Sequence, residues 1–350
     1  MGARQEPRTA VVRHLDVPSV ASLARWGTVS GLESGGVTGA GRVVLLLNPT
    51  SGKGKASKAA PIAVARLQDR GFEVVQVVGH DGADALARLR VAVEKAPTAA
   101  VVACGGDGTV HLCLQVVAGT DVPLGILPFG TGNDNARGLG LLREPAEVAD
   151  VIADALLQGR RRRVDAGKVV SADGVERWFL GVLSSGFDSM VNERANVMTW
   201  PSGQARYLRA ILAELRSFKA VRYTMVVDEG LVTEMREEKT GMLVAVGNGT
   251  SYGGGMRVCP GALLDDGLLS FIFLDEVSTP RFLRVFPQVF KGTHVEIDEV
   301  HEYTASTVRL DAPGQIAYAD GERVGPLPID VRVVPAAVSL LVPSSWEPTT

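Results

Sequence analysis

An α/β half followed by a mainly β half is the fold class this sequence predicts, and two observations carry it. Between Arg42 and Leu157 short apolar runs alternate with longer amphipathic stretches, the pattern that parallel strands joined by crossover helices produce. Beyond the four arginines Arg160, Arg161, Arg162 and Arg163 the texture changes to repeated short apolar runs, broken by only two helical stretches. A chain of 350 residues, 46% apolar and 21% charged, can build one large core or two ordinary ones, and two domains are expected.

In the first half, residues 43–47 read as a strand and a loop rich in Gly and Lys follows. Residues 57–70 carry Ile62, Val64, Ala65 and Leu67 at near-helical spacing before Gly71 stops the helix. Residues 72–78 form the second strand. Residues 83–93 place Ala83, Leu86, Leu89, Ala92 and Val93 on one helical side, and Pro97 precedes a third strand at 99–103. A glycine loop and a helix at 110–117 come next, then a fourth strand at 124–127 and a helix at 146–157, with Pro145 suited to its first turn. The second half predicts strands at 178–183, 221–227, 242–246, 268–274, 308–310, 316–318 and 331–334. Its two helices are expected at 205–218 and 280–290, the latter capped by Thr279.

Composition narrows the function classes. Lys and Arg number 36 against 39 Asp and Glu, a formal net charge of −3 that offers nucleic acid no overall footprint, so anion binding must be local. Cys104, Cys113 and Cys259 are odd in number, sit in apolar settings and lack metal-ligand spacing, which predicts reduced thiols in a cytoplasmic protein. The longest apolar runs, at 43–47 and 99–104, are too short to cross a bilayer. Residues 1–40 have no continuous apolar h-region and carry Glu6 where myristoylation needs Ser or Thr, so they read as a flexible extension. His14, His80, His294 and His301 show no metal spacing, no Ser/His/Asp arrangement suggests a hydrolase, and lone His111 reads as packed or solvated.

Three polar loops carry the chemistry. Asn48-Pro49-Thr50-Ser51-Gly52-Lys53-Gly54-Lys55 stands between a strand and a helix, where free backbone N–H groups and the helix dipole favour phosphate. It lacks Walker A spacing and by itself reads equally as a solvated turn. Gly105-Gly106-Asp107-Gly108-Thr109 opens a helix directly after an apolar strand, and its glycines let the backbone approach a ligand and donate amides to phosphate. Asp107 would repel that phosphate unless it holds Mg²⁺, takes a proton or orients a donor; the competing reading is a tight turn with a capping aspartate. Gly130-Thr131-Gly132-Asn133-Asp134 follows the next strand. In open α/β sheets ligands bind at the carboxyl ends of strands, where all three loops would gather.

In this order the Asn48, Gly105 and Gly130 loops resemble the signature of the diacylglycerol kinase catalytic-domain family, which takes in bacterial lipid kinases and is related to sphingosine and ceramide kinases. The resemblance runs from Arg42 onward. It implies an NAD kinase/diacylglycerol kinase-like fold: an α/β nucleotide domain at 41–164 and a β-sandwich lipid-substrate domain at 165–350, whose extreme end returns to the first. ATP and Mg²⁺ are the cofactors implied. Asn48, Pro49, Thr50, Ser51, Gly52, Gly105, Gly106, Asp107, Gly108, Thr109, Gly130, Thr131, Gly132, Asn133 and Asp134 are the implied nucleotide contacts.

Val164-Asp165-Ala166-Gly167 looks like the segment where the family enters its second domain, and Gly186-Phe187-Asp188 like a short motif found there. Residues 260–268 resemble the family's structural Mg²⁺ loop, which implies Asp266 as side-chain ligand assisted by the carbonyls of Leu263 and Leu268. Without the resemblance this segment reads equally as a β-turn. Asp320-Gly321-Glu322 resembles the terminal catalytic motif, in which Asp320 or Glu322 takes the proton of the lipid hydroxyl, with Asp107 a third catalytic candidate; as an isolated triplet it reads as a hairpin turn.

The activity implied is transfer of the γ-phosphate of ATP to a lipid hydroxyl, foremost that of diacylglycerol, by a cytoplasmic enzyme with peripheral contact at the inner face of the membrane. No nucleic acid partner is implied, and a homodimer is admitted. Where the family usually has a nucleotide-contacting Thr after the second strand, this sequence has Val78-Gly79-His80. Two rivals stand beside this reading. An NAD kinase or phosphofructokinase-like enzyme shares the Gly-Gly-Asp-Gly loop, and a catalytically silent nucleotide- or lipid-binding module would keep the fold. The Arg160 to Arg163 run reads as a solvated linker or a headgroup contact. The stretch 191–207, with Met198, Trp200 and Tyr207 among Arg194 and Arg206, reads as a rim for an apolar substrate or as packing.

Overall fold

The computed structural model describes residues 40–201 and 204–346; apart from Ala40, the extension expected over 1–40 lies outside them. The apolar runs of the first half become the strands β1 (Gly41–Leu47), β2 (Phe72–Val77), β3 (Ala100–Gly105) and β4 (Leu124–Pro128), paired in parallel in the order β4-β3-β1-β2. Leu45, Val101, Val102 and Ala103 are wholly buried, as central parallel strands are once helices cover the sheet. The helices are α1 (Ser51–Asp69), α2 (Gly82–Glu94), α3 (Asp107–Val117), the short α4 (Asp134–Gly138) and α5 (Pro145–Leu157). β1 has β2 on one side and β3 on the other, so the strand order switches between β1 and β3, where open sheets bind ligands.

The second half begins with β5 (Arg162–Ser171), so Arg162 and Arg163 belong to a strand and not to the linker expected there. Arg163 is held by Asp121 and by the carbonyl of Ala336, which fixes this end of the strand. The strand expected at 178–183 is two, β6 (Glu176–Phe179) and β7 (Val182–Gly186). The break has a physical cause: the N–H groups of Leu180 and Gly181 leave the ladder and donate to Asp320.

Next come α6 (Phe187–Val197), α7 (Gln204–Glu214), β8 (Val221–Val227), β9 (Met235–Gly247), β10 (Leu269–Asp275) and α8 (Thr279–Val289). Ser278, not Thr279, occupies the N-cap of α8, because Pro280 takes its place within the first turn. β11 (Val300–Ala305), β12 (Thr307–Asp311), β13 (Ile316–Ala319), β14 (Glu322–Pro326) and β15 (Ile329–Leu340) complete the chain.

The strands of this lobe pair antiparallel in the order β14-β13-β7-β9-β8-β12-β15, with β10 on β9 and β5 on β15. Phe179, Tyr223, Phe271 and Phe273 fill the core on one side, and α6, α7 and α8 close the other over Met242, Ala245 and Ile272. Each buried Phe, Ile or Met side chain among them stabilises the fold by about 1.5–3 kcal/mol relative to exposure. Leu340 of β15 pairs in parallel with Leu124 of β4, and Trp346 Nε1 donates to Gly138 O at 2.8 Å, so the end of the chain returns to the first lobe. Among the described residues no helix is long and apolar enough to cross a membrane, and the three cysteines are free thiols. Burial pushes the Cys104 thiol up to about 12.

Candidate functional site

The three loops meet at the carboxyl ends of β1, β3 and β4. Asn48 N donates to Cys104 O at 3.0 Å and Phe129 N donates to Gly105 O at 2.7 Å, which ties each outer loop to the central one. The contact is backbone to backbone. A Cβ at Gly106 would sit 2.9 Å from Gly130 Cα, one at Gly52 would sit 2.3 Å from Phe129 O, and one at Gly105 would strike Thr109. In the first loop, Asn48 Oδ1 accepts from the Thr50 N–H and hydroxyl, and Ser57 Oγ donates to Pro49 O. Gly52, Lys53 and Gly54 hold left-handed φ of 59°, 58° and 85°, so the regular part of α1 starts only after Gly54, close to the position predicted. Asn133, with φ of 52°, closes the third loop by accepting from Gly130 N at 2.7 Å and donating to Gly130 O.

Asp107, Thr131, Gly132 and Asp134 line a cleft of about 310 Å³ between the lobes. Asp107 Oδ1 accepts from the backbone and side-chain amides of Asn135. Asp134 Oδ2 accepts from Gly254 N at 2.8 Å, while its Oδ1 is buried without a hydrogen-bond partner among the described residues. Burial raises the Asp134 carboxyl above the usual carboxylate range, and the charge of Asp107 adds to this. A site with two neighbouring carboxylates and an orphaned oxygen fits a hard divalent cation such as Mg²⁺.

From the opposite lobe, the β13–β14 hairpin delivers the two terminal carboxylates. Its turn residues Asp320 and Gly321 have φ of 52° and 81°, the geometry a two-residue hairpin needs, so the triplet is both turn and site. Asp320 is pinned: Oδ2 accepts from Leu180 N at 3.0 Å, Oδ1 accepts from Gly181 N at 2.8 Å, and His111 Nδ1 stands 3.5 Å from Oδ2. Glu322 is open to solvent along its stem, yet its carboxyl turns inward; a Cβ at Gly108 would sit 2.9 Å from Oε1. Burial raises its pKa, His111 opposes that shift, and Asp320 reinforces it.

Asp188 of the Gly186-Phe187-Asp188 motif is buried and accepts from Ser184, Tyr207 and Asn192, which binds α6 and α7 to β7. Burial raises its pKa. Tyr207 and Tyr252 separate the polar cleft from an apolar cavity of about 80 Å³ lined by Phe187, Ile272 and Phe282.

Leu263, Asp266 and Leu268 do not line the cleft. They lie beside Asp165, which accepts from Gly267 N and Ala336 N, each at 2.7 Å, while Asp165 N donates to Leu264 O. Asp266 Oδ1 accepts from Leu268 N at 3.0 Å. Burial raises the Asp266 carboxyl, as do the charges of Asp165 and Asp265, and no Lys or Arg pairs with it among the described residues. Carboxylate oxygen short of positive charge is what Asp266 could offer a cation, although no three His, Cys, Asp or Glu side chains gather as a metal site among the described residues.

Several site residues escape the sequence reading. Gly253 and Gly254 form one cleft wall, and their signal, three consecutive glycines after Tyr252, was legible. Ser251 also lines the cleft and carries no motif, while Asn192, Arg206 and Tyr207 reach it from the stretch 191–207 read above as a rim for an apolar substrate or as packing. His111, read above as merely packed or solvated, is buried against the terminal aspartate. The Thr absent after β2 has no substitute in Val78-Gly79-His80: His80 N serves Asp84, and a Cβ at Gly79 would strike Ala85.

Residues 42–169 match the diacylglycerol kinase catalytic domain, and residues 181–342 match the YegS C-terminal NAD kinase beta sandwich-like domain. A diacylglycerol kinase of Mycobacterium tuberculosis strain H37Rv is 46% identical over 306 residues, covering 87% of this chain and 96% of that one. A diacylglycerol kinase of Bacillus subtilis strain 168 is 26% identical over 291 residues, 82% of this chain and 91% of the relative. The fold is shared with the crystal structure of a diacylglycerol kinase from Bacillus anthracis, with a TM-score of 0.63 over 87% of this chain and 97% of that one at 18% identity.

Proposed function

The chain belongs to the diacylglycerol kinase family of lipid kinases, and from that premise we propose that it transfers the γ-phosphate of ATP to the free hydroxyl of diacylglycerol, giving phosphatidic acid and ADP. One observation carries the reading: the Glu322 carboxyl of the β lobe stands over Gly108, in the phosphate loop of the other lobe. A proton acceptor and a set of free amides at a helix N-terminus thus face one another across a cleft, as in-line phosphoryl transfer requires.

The glycine loops hold the phosphates through backbone N–H groups and the N-terminus of α3. Mg²⁺, when bound, would supply neutralising charge to the transferring group, and Asp107 and Asp134 are the side chains that would hold it. The acceptor oxygen attacks the γ-phosphorus, Glu322 takes its proton, and the bond to the bridging oxygen breaks to release ADP. Asp320, held by two backbone N–H groups, positions the turn and leaves the proton to Glu322. Since ATP is cytoplasmic and the acceptor is a lipid, the reading entails peripheral work at the inner face of a membrane.

The test is transfer of labelled γ-phosphate from ATP with Mg²⁺ to a lipid panel in mixed micelles, with NAD in parallel. Label in diacylglycerol is expected. Label in NAD alone, or in no acceptor, would overturn the reading.

A further inference from the structure

Helix α7 has two faces. Ala210 and Ile211 pack with Phe187, Val191 and Phe282 in the core beneath it, while Leu208 and Leu212, one turn apart on the opposite side, are 49% and 47% exposed. In the segment leading to it, Val197 is 81% and Trp200 74% exposed. Arg209 joins the two groups, because its guanidinium lies over the Trp200 ring at 5.5 Å and donates to Trp200 O. Single exposed apolar residues need no explanation, but four large ones gathered on adjoining segments form a patch.

The charges beside the patch are one-sided. Between Gln204 and Ala220 the chain carries Arg206, Arg209, Arg216 and Lys219, and its one acid, Glu214, is buried and bound to Arg194. Glu193 is the exposed acid of α6. A basic surface of this kind repels a second copy of itself and attracts an anionic one. Exposed Leu and Trp among arginines are the composition of an interfacial amphipathic helix.

We propose that this face, Val197 and Trp200 with the outer side of α7, docks on an anionic phospholipid bilayer. The proposal rests on the lipid-kinase reading for its purpose but not for its test. Asn192 and Ala195 of α6 and Arg206 and Tyr207 of α7 line the cleft, so the helices that meet the bilayer also wall the site. No described helix spans a bilayer, and attachment through these segments is peripheral.

The experiment is flotation of the full chain with phosphatidylcholine vesicles, alone or mixed with phosphatidylglycerol. The chain floats with the mixed vesicles, less so as salt rises. The variant Trp200→Ser/Leu208→Ser/Leu212→Ser and the variant Arg209→Glu/Arg216→Glu each bind weaker by about tenfold or more, with unchanged melting. A wild-type chain indifferent to phosphatidylglycerol, variants that float like it, or self-association through this face without vesicle binding would overturn the proposal. Labelling of micellar diacylglycerol by the wild type reads the substrate separately: failure there with flotation intact supports the docking face and removes the substrate assignment.

Discussion

His111 Nδ1 lies 3.5 Å from Asp320 Oδ2, a contact that joins helix α3 of the α/β lobe to the β13–β14 turn of the other. Gln115 sets the ring's tautomer. Its Oε1 accepts from Trp178 N and its Nε2 donates to Trp178 O, so an amide nitrogen faces His111 Nε2 at 3.4 Å. That nitrogen cannot accept, which leaves His111 Nε2 bare and puts the proton on Nδ1, toward Asp320. Nitrogen-15 NMR of the imidazoles is expected to show the Nδ1–H form for this residue. As a positioning residue, His111→Phe lowers kcat on the order of tenfold to a hundredfold and leaves the KM for ATP near its original value.

The two terminal carboxylates should separate by substitution. Glu322→Gln keeps the shape and removes the proton acceptor, so kcat for lipid phosphorylation falls by about 10²–10⁴ while nucleotide binding, read by calorimetry, stays. Asp320→Asn sets an amide group against the N–H groups of Leu180 and Gly181. It should therefore lower thermal stability as well as rate, a combined loss that Glu322→Gln does not show.

Glu322 also links pH to both rate and stability. Its carboxyl is raised mainly by burial, so the acid limb of kcat lies above the ordinary carboxylate range. The sign for stability follows from proton counting. Between the unfolded glutamate value, about 4.3, and the raised folded value, the folded chain binds more protons than the unfolded one, so stability falls as pH rises through that window. At neutral pH the wild type carries this cost and Glu322→Gln does not. The variant should melt higher at neutral pH, and the difference should vanish in acid below the unfolded value.

Residues 43–47 and 99–103 declare buried parallel strands because every side chain in them is apolar, and the glycine loops between strands and helices declare the end of the sheet where the loops gather. Local pattern reaches that far. It cannot reveal that Leu180 and Gly181 abandon their ladder, since the cause is Asp320, 139 residues away from Gly181. Nor can it show that the end of the chain pairs Leu340 with Leu124. His111 was missed for the same reason: its partner, Asp320, comes from the opposite lobe.

Close packing of the loops predicts a sharp steric effect. Gly106 and Gly130 leave no room for a methyl group, since the Cβ built on either meets the other's Cα at 2.9 Å or less. Gly106→Ala must push the two loops apart and turn their N–H groups off the phosphates. ATP affinity should fall by about tenfold or more, with little change in unfolding midpoint because both loops are open at the surface of the cleft. A variant that binds ATP like the wild type would show that these amides do not hold it.

Asp165 allows the last prediction, because it holds the backbone beside the carboxylate expected to meet a cation. It accepts from Gly267 N and Ala336 N, joining β5 to the loop of Asp266 and to β15. Asp165→Ala leaves both donors without their acceptor, and the urea midpoint should report a loss of about 2–4 kcal/mol. Asp266 bears the complementary result. Its carboxyl is burdened by burial and by Asp165 and Asp265, so a divalent cation there relieves repulsion only in the folded chain. Mg²⁺ should raise the melting temperature of the wild type, EDTA should reverse the gain, and Asp266→Ala should show a smaller gain than the wild type.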